Sequence, residues 1–179
     1  MKHTYGKKGV IALLLLLCAL LLLSACSRGE EGAPSGMKLA SGEAVDYLFY
    51  VPEAWTVTNA TGVTSAYYST RQRTNVSLAA YSLEGKMDAE EYWFTYADAF
   101  KETFKDFEVL ENTDCTLGGV IGKKYTYQGK FMEAPFQFMQ IIVIRSGTVY
   151  TLTYTAAQSE FDACSEDFNA MVENFRFRT

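Results

Sequence analysis

The residues that could do chemistry are few, and their types restrict the reactions available. The 179-residue chain has one histidine, four cysteines and 21 acidic residues. The histidine, His3, precedes a long apolar run, so the residues after that run carry no imidazole. Ser-His-Asp and Cys-His nucleophile arrangements and histidine zinc sites are therefore excluded there. Carboxylates are the main acid–base groups that remain, and they could hydrolyse a glycan only if the fold brings two of them together.

Cys26 lies at the end of a segment that has the three parts of an export signal. Lysines come first, an apolar run follows from residue 10 to Leu23, and the small residues Ser24 and Ala25 precede the cysteine. The run is shorter than the roughly 20 residues that cross a bilayer as a helix, which favours a cleaved signal. Leu23-Ser24-Ala25-Cys26 resembles the lipobox of bacterial lipoproteins, in which the cysteine thiol receives diacylglycerol and the chain is cut before it.

This resemblance implies an address at the cell membrane. Residues 1–25 would be the signal peptide, and Cys26 would carry acyl chains on the extracytoplasmic face, where two chains hold a domain that one chain would release. Residues 26–43 are rich in Gly, Ser, Glu and Pro and lack an apolar period. We therefore expect a flexible tether with a reach of about 20 to 25 Å. The alternative is an ordinary secretory cleavage site beside a chance cysteine.

The charge of the chain disfavours two classes of partner. The formal net charge is −5, and the part after the signal is more acidic still, because three lysines lie in the signal. An acidic domain is repelled by nucleic acid and by anionic lipid headgroups. We expect no nucleic-acid partner, and contact with the membrane through the lipid anchor.

Residues 44–179 have the length of one domain and read mostly as strands. Thr74–Tyr81 alternates apolar and polar residues, which is typical of a half-buried strand. Connections between neighbouring strands are too short for crossover helices, so the sheet should be mostly antiparallel. The expected strands are Val45–Val51, Trp55–Thr58, Thr64–Tyr68, Thr74–Tyr81, Phe107–Asn112, Val120–Gln128, Pro135–Arg145 and Val149–Ala156, with a hairpin turn at RSGT.

Two segments have helical spacing instead. Asp88 and Glu91 offer a capping-box start, and the apolar residues that follow recur every three or four positions to Phe104. The second helix starts near Ser159 and Asp162. Its apolar face comprises Phe161, Cys164, Phe168, Met171, Val172 and Phe175. The fold class is therefore α+β, with about six or seven strands flanked by two helices.

This order, with the opening YLFYVPEAWTV and the closing FRFR, resembles the PsbP-like family over about residues 44–179. The resemblance implies an antiparallel sheet between helices, with Pro52 and Trp55 as markers of the fold. Members act as assembly or stabilising factors of photosynthetic complexes, as a binder of the GTPase Ran, or as bacterial lipoproteins of unassigned role. It therefore implies a non-catalytic protein, and no ligand-binding residue transfers.

Three local sequence patterns have a simpler structural interpretation than a ligand site. Residues 117–125 resemble a phosphate loop, but the first glycine and the final Ser or Thr are missing, so a turn with two flexible glycines fits better. The acidic clusters lack the spacing of a calcium loop, and acid in a first helical turn favours the helix dipole. These clusters are Asp88, Glu90 and Glu91, and Glu166 and Asp167. No metal and no cofactor are expected.

Cysteines and tyrosines leave two further questions open. Cys115 and Cys164 could form a disulfide outside the membrane, but Cys164 lies on an apolar helix face, which favours separate thiols. Tyrosines on strands could face outward and grip a protein or a glycan, or could be covered by the helices. They are Tyr67, Tyr68, Tyr81, Tyr125, Tyr127, Tyr150 and Tyr154.

Three functions remain. The first is a lipid-tethered, non-catalytic binding or assembly module for a protein partner at the cell envelope. The second is capture of a small or apolar ligand between sheet and helix. The third is a hydrolase that uses carboxylates alone.

Overall fold

The computed structural model describes residues 32–69 and 73–179, and residues Ala33–Thr179 form one compact unit. The strands in this part are β1 Met37–Leu39, β2 Tyr47–Leu48, β3 Tyr50–Pro52, β4 Thr56–Ala60, β5 Val63–Tyr67, β6 Asn75–Ser82, β7 Lys105–Leu117, β8 Val120–Phe131, β9 Ala134–Arg145, β10 Thr148–Ala157 and β11 Arg176–Phe177. The α-helices are α1 Ala89–Thr103 and α2 Ser165–Asn174, and Gln158–Cys164 is a 3₁₀ helix. No helix within these ranges is long and apolar enough to span a membrane.

Seven strands form one antiparallel sheet in the order β4-β5-β6-β10-β9-β8-β7. The expected α+β fold with two helices and about seven strands is confirmed. The RSGT turn is also present, since Arg145 pairs with Thr148 across the β9–β10 hairpin. Two short pairs lie outside this sheet, β1 with β3 and β2 with β11.

Helix α1 covers only part of one sheet face. Its buried residues Trp93 and Ala97 belong to a core cluster with residues of β8, β9 and the start of β10. Trp93 stacks on Tyr125, with ring centroids 4.0 Å apart and planes 9° apart. Such pairs stabilise by about 0.5 to 1.5 kcal/mol beyond the area they bury. Gly129 lets the end of the helix approach, since a Cβ there would lie 2.7 Å from Phe104 Cβ.

The other sheet face holds the larger core. Helix α2, the 3₁₀ helix and the N-terminal residues pack there against the inward side chains of β5, β6, β9 and β10. Trp55 is 1% exposed, and its indole N–H donates to Asp167 Oδ2 at 2.8 Å, which ties the N-terminal segment to α2. Pro52 ends β3 just before this tryptophan. Pro52 and Trp55, the two expected fold markers, therefore lie where the N-terminal segment packs against α2.

The ordered domain starts earlier than expected. The sequence predicts a tether over residues 26–43, but Met37–Leu39 in that range forms β1 and pairs with β3. Ala40 and Ser41 are buried, and Ser41 Oγ accepts from Phe49 N and donates to Tyr47 O. A three-residue strand lacks a periodic signal of its own. Its partner, expected as a continuous strand Val45–Val51, is divided between β2 and β3.

Helix boundaries also differ. The α1 cap is as expected, since Asp88 accepts from Glu90 N and Glu91 N while Glu91 accepts from Asp88 N. The second expected helix is a 3₁₀ turn, Gln158–Cys164, followed by α2. Its apolar face is nevertheless buried where expected, at Phe161, Cys164, Phe168, Met171 and Phe175.

Candidate functional site

Half of the sheet face that carries α1 is left uncovered. Cross-strand pairing and the alternation of side chains place 13 residues of β4, β5, β6 and β10 on this half, and all of them are exposed or half-buried. We call this surface the neutral face. It consists of Thr56, Thr58, Ala60, Val63, Ser65, Tyr67, Asn75, Ser77, Ala79, Tyr81, Thr151, Thr153 and Thr155.

The neutral face carries no charged residue, although 21% of the chain is charged. Sheet faces that only meet water commonly carry lysine and glutamate, which keep them solvated. Here the outward positions are instead mostly threonine, serine, asparagine and tyrosine, while the inward positions of the same strands are core residues such as Val76 and Leu78. These four strands carry no charged residue on either side, and the neutral face is the side that neither helix covers.

Polar groups on this face are available to a partner. Gln140 on β9 is buried, and its Nε2 donates to Thr153 Oγ1 at 3.0 Å. The hydroxyls of Ser65, Ser77 and Thr151 make no side-chain hydrogen bond with any other residue in the described ranges. Each hydroxyl can donate one hydrogen bond and accept two. The face offers hydrogen bonds without charge.

Several tyrosines lie along the border of the neutral face, most of them next to α1. Tyr92 and Tyr96 project from the helix with ring centroids 4.6 Å apart, and Tyr96 is 48% exposed. Burial, followed by the neighbouring hydroxyls of Tyr96 and Tyr81, raises the pKa of Tyr92, so Tyr81 lies close to this pair. Tyr81 itself is 52% exposed and Tyr67, at the other end, is 39% exposed. These rings supply rigid apolar area beside the hydroxyls.

The strand tyrosines, for which outward exposure and coverage by the helices were both open, divide into two groups. Tyr67, Tyr68 and Tyr81 are exposed. The other four are at most 2% exposed: Tyr125 and Tyr127 lie under α1, and Tyr150 and Tyr154 face α2 and the N-terminal segment. Strand alternation alone could not show which face each helix covers.

The two thiols lie on the α2 side of the molecule and are free. Cys164 is buried at the end of the 3₁₀ helix, and Cys115 is half-buried on β7. Burial raises the pKa of both thiols, which lowers the fraction of reactive thiolate at neutral pH. Cys26, the expected lipidation site, lies outside the described residues.

The acidic clusters have structural partners. Asp88 and Glu91 form the α1 cap, Glu90 lies 3.5 Å from Lys123 Nζ, and Asp167 accepts from Trp55. No group of three or more metal-ligating side chains occurs within residues 32–69 and 73–179. The glycine-rich segment is the β7–β8 turn, with Gly118 and Gly119 at positive φ.

Three surface clefts on the described part of the chain have no pair of carboxylates in their linings. The largest of the three has a volume of about 610 Å³ and is lined by Arg73, Ala134, Pro135, Phe136, Ala157, Gln158, Ser159 and Glu160. A second cleft shares Pro135, Phe136 and Gln158 with it and has Asp106 as its acid. The third, beside α2, has Glu173. Each of these clefts is therefore lined by one carboxylate.

Sequence reasoning missed the serines, threonines and asparagine of the neutral face. A signal was present, because the outward positions of Asn75–Ser82 and Thr148–Ala157 are uncharged. That signal becomes informative only once pairing places these strands side by side on an uncovered surface.

Comparisons with known proteins agree on the fold. PsbP of the cyanobacterium Synechocystis sp. PCC 6803 superposes with a TM-score of 0.58 at 15% identity, over 86% of this chain and 99% of that protein. LpqN of Mycobacterium tuberculosis, which is involved in cell envelope biogenesis, superposes with a TM-score of 0.58 at 14% identity, over 74% and 83%. A protein of unknown function from Pseudomonas aeruginosa gives 0.56 at 13%, over 77% and 94%. The expected PsbP-like fold is confirmed.

The sequence itself identifies the family. No curated protein matches the chain. The sequence model of the DcrB family matches residues 49–174, which run from the residue before β3 to the last residue of α2. This match includes the seven-stranded sheet, both α-helices and the whole neutral face. The chain therefore belongs to the DcrB family.

Proposed function

We propose that this protein is a lipid-tethered, non-catalytic module that binds a protein partner at the extracytoplasmic face of the cell membrane. The neutral face is the observation that carries the proposal. Protein interfaces are depleted in Lys, Glu and Asp at their core and enriched in tyrosine. Antibody binding sites combine tyrosine with serine and asparagine, which supply rigid rings and adaptable hydrogen bonds. The neutral face has no charged residue and carries tyrosine, serine and asparagine.

The side chains available in the described part of the chain favour a binding role. The residues after His3 contain no imidazole, and each of the three clefts has a single carboxylate. A carboxylate hydrolase needs two carboxyl groups roughly 5 to 10 Å apart across its substrate. The neutral face offers hydroxyls and rings, which position a partner through hydrogen bonds and apolar contact.

The proposed location depends on the N-terminal sequence. Leu23-Ser24-Ala25-Cys26 after an apolar run is the lipobox pattern, and LpqN, which has this fold, is a protein of cell envelope biogenesis. Intact mass and labelled palmitate incorporation test the anchor. We expect acyl groups on Cys26 and their loss, with release from the membrane fraction, in Cys26→Ser. An intact leader or an unlabelled product would contradict the location.

Site-specific photocrosslinking tests the neutral face. A photoreactive amino acid at Ser77 or Thr153 should give a discrete adduct in intact cells, and mass spectrometry should identify one envelope protein in both. The same group at Asp162, which is exposed on the α2 side, is the matched control. The substitution Ser65→Lys should abolish the adducts, because binding of the partner would bury an unpaired charge in the interface. The domain should stay folded. Equal adducts from Asp162 would contradict the assignment.

The largest cleft supports a second candidate function, capture of a small anionic ligand with an apolar body. Phe136 forms part of its lining, and the guanidinium of Arg73 lies 5.9 Å from the centre of that ring. Anilinonaphthalene sulfonate, an aromatic anion, is a suitable probe. Its fluorescence should rise with the wild-type protein and with Lys101→Ala, and should rise much less with Arg73→Ala. An unchanged titration in Arg73→Ala would remove this candidate.

A further inference from the structure

The β8–β9 hairpin ends in two exposed apolar side chains. Met132 is 86% exposed and Phe131 is 44% exposed, and Met132 is the most exposed large hydrophobic residue in the described ranges. The Phe131 ring contacts Phe104 at the end of α1, with ring centroids 6.2 Å apart. This contact holds the Phe131 side chain against the folded domain. We call Phe131 and Met132 the apolar tip. Single exposed apolar residues are common on protein surfaces, whereas here two of them are adjacent at the end of one hairpin.

The backbone of this turn is also unusual. Met132 has φ 49° and Glu133 has φ 65°, so two consecutive residues with side chains occupy the left-handed region. Two-residue hairpin turns of this kind strongly prefer Asn-Gly or Gly-Gly, because most side chains are unfavourable there. The β7–β8 turn, at the opposite end of β8, has Gly118 and Gly119 at positive φ. Methionine therefore stands where glycine would relax the backbone.

Charges around the apolar tip cancel in pairs. Lys130 Nζ lies 2.7 Å from Asp106 Oδ2, and Lys105 Nζ lies 3.3 Å from Glu133 Oε1. Two ion pairs therefore lie beside the apolar tip. Paired charges of this kind are not repelled by zwitterionic headgroups, whereas they give no attraction to anionic ones.

The apolar tip lies at the end of the sheet where the chain enters the domain. Glu53 N donates to Gly36 O, so the first described residues lie beside the segment that leads into β4. Strand pairing places Thr56, the first residue of β4, in one row with Phe138 of β9. The apolar tip lies beyond Phe138 at this same end. A tether that leaves from residue 33 toward a membrane therefore starts from the end that carries Met132.

We infer that the apolar tip inserts into the interfacial region of a zwitterionic bilayer and sets the orientation of the tethered domain. This inference rests on the proposed lipid anchor, because two side chains alone bind a membrane weakly and the tether supplies the high local concentration. Insertion would hold the sheet end against the lipid. The neutral face would then stand roughly along the membrane normal, open to a partner beside the protein.

Depth-dependent fluorescence quenching tests the inference on the full chain. Met132→Trp and the control Ile121→Trp, which is 78% exposed near the opposite end of β8, are purified from membranes and reconstituted in phosphatidylcholine vesicles with brominated acyl chains. The native Trp55 and Trp93 are 1% and 3% exposed and contribute a constant background. We expect bromine to reduce the added emission at residue 132 about twofold or more and to leave residue 121 nearly unchanged.

The outcomes separate the two proposals. Intact mass reports the acyl groups, so a chain without them contradicts the proposed anchor. An acylated chain with equal quenching at residues 132 and 121 overturns only the insertion of the apolar tip. Stronger quenching after addition of phosphatidylglycerol would overturn the zwitterionic assignment, because the paired charges give no reason for it.

Discussion

Single side chains show how the tyrosine-rich core satisfies its polar groups. Tyr154 is fully buried, and its hydroxyl donates to Phe161 O at 2.6 Å. Tyr125 is 1% exposed, and its hydroxyl is the buried side-chain atom without a hydrogen-bond partner in the described part of the chain. The two tyrosines therefore form a matched pair that differs in one hydrogen bond.

Removal of each hydroxyl should have opposite effects on the free energy of unfolding. We expect Tyr154→Phe to lower it by about 1 to 2 kcal/mol, because Phe161 O loses a buried partner. Tyr125→Phe should leave it unchanged or raise it by up to about 1 kcal/mol, since no hydrogen bond is lost. Urea denaturation followed by circular dichroism measures both. Equal losses in the two variants would contradict the geometry.

The free thiols give a second prediction at this scale. Burial raises the pKa of Cys115 and of Cys164, so each is less ionised at pH 8 than an exposed thiol. Iodoacetamide should modify both at least about tenfold more slowly in the folded protein than in urea. Peptide mapping by mass spectrometry follows each site. Failure of both to react in urea without a reductant would indicate the disulfide.

Site residues were only partly predictable from sequence. Trp55 and Pro52 stand out by type, and the Asp88–Glu91 spacing identifies a cap. The burial of Tyr125 could not be predicted, because the alternating pattern of its strand is like that around Tyr81, which is exposed. What separates them is the coverage by α1, which depends on contacts far apart in sequence.

At the scale of elements, the start of α1 is fixed by local interactions. Asp88 accepts from two backbone N–H groups that have no partner within the helix, and Glu91 completes the capping box. Elements with such local signals were predictable. The β8–β9 turn was not, because Met132 and Glu133 are not turn residues by type. Strand β1 was missed because three residues carry no period.

Loss of this cap should destabilise the domain. We expect Asp88→Ala to lower the free energy of unfolding by about 1 kcal/mol. Asp98→Ala is the control, since Asp98 is an exposed partner of Lys101 on the same helix and its loss should cost less than about 0.5 kcal/mol. Thermal and urea denaturation compare the variants. A larger loss in Asp98→Ala would contradict the role of the cap.

At the scale of the whole molecule, the fold could be predicted and the uncovered surface could not. Antiparallel order follows from short connections, and helix count follows from apolar periods. The neutral face depends on α1 being narrower than a seven-stranded sheet and lying over β8 and β9. No local sequence pattern predicts that α1 lies over β8 and β9.

Buried tyrosines make the whole domain sensitive to alkaline pH. Burial raises the pKa of Tyr127 and Tyr154 well above 10, whereas unfolded tyrosine titrates near 10. Above about pH 10 the unfolded state therefore binds fewer protons than the native state, so the free energy of unfolding falls as pH rises. We expect a loss of at least about 1 kcal/mol between pH 8 and pH 11, with no such slope from pH 7 to 9.

Urea denaturation at each pH measures this loss, and absorbance near 295 nm reports the ionisation of tyrosine. The most buried tyrosines should ionise only as the protein unfolds. Full tyrosine ionisation while the circular dichroism stays native would contradict the burial of these rings.

The pairing of β1 with β3 determines how the domain responds to mechanical load. A pull on the chain before residue 33 acts first on the hydrogen bond from Glu53 N to Gly36 O and then on the β1–β3 ladder, which has three residue pairs. Pulled from that end, the pairs separate one after another like a zipper, whereas the ten-pair β9–β10 ladder lies deeper along the chain. We therefore expect the N-terminal strand to detach before the seven-stranded sheet when the chain is pulled from that end.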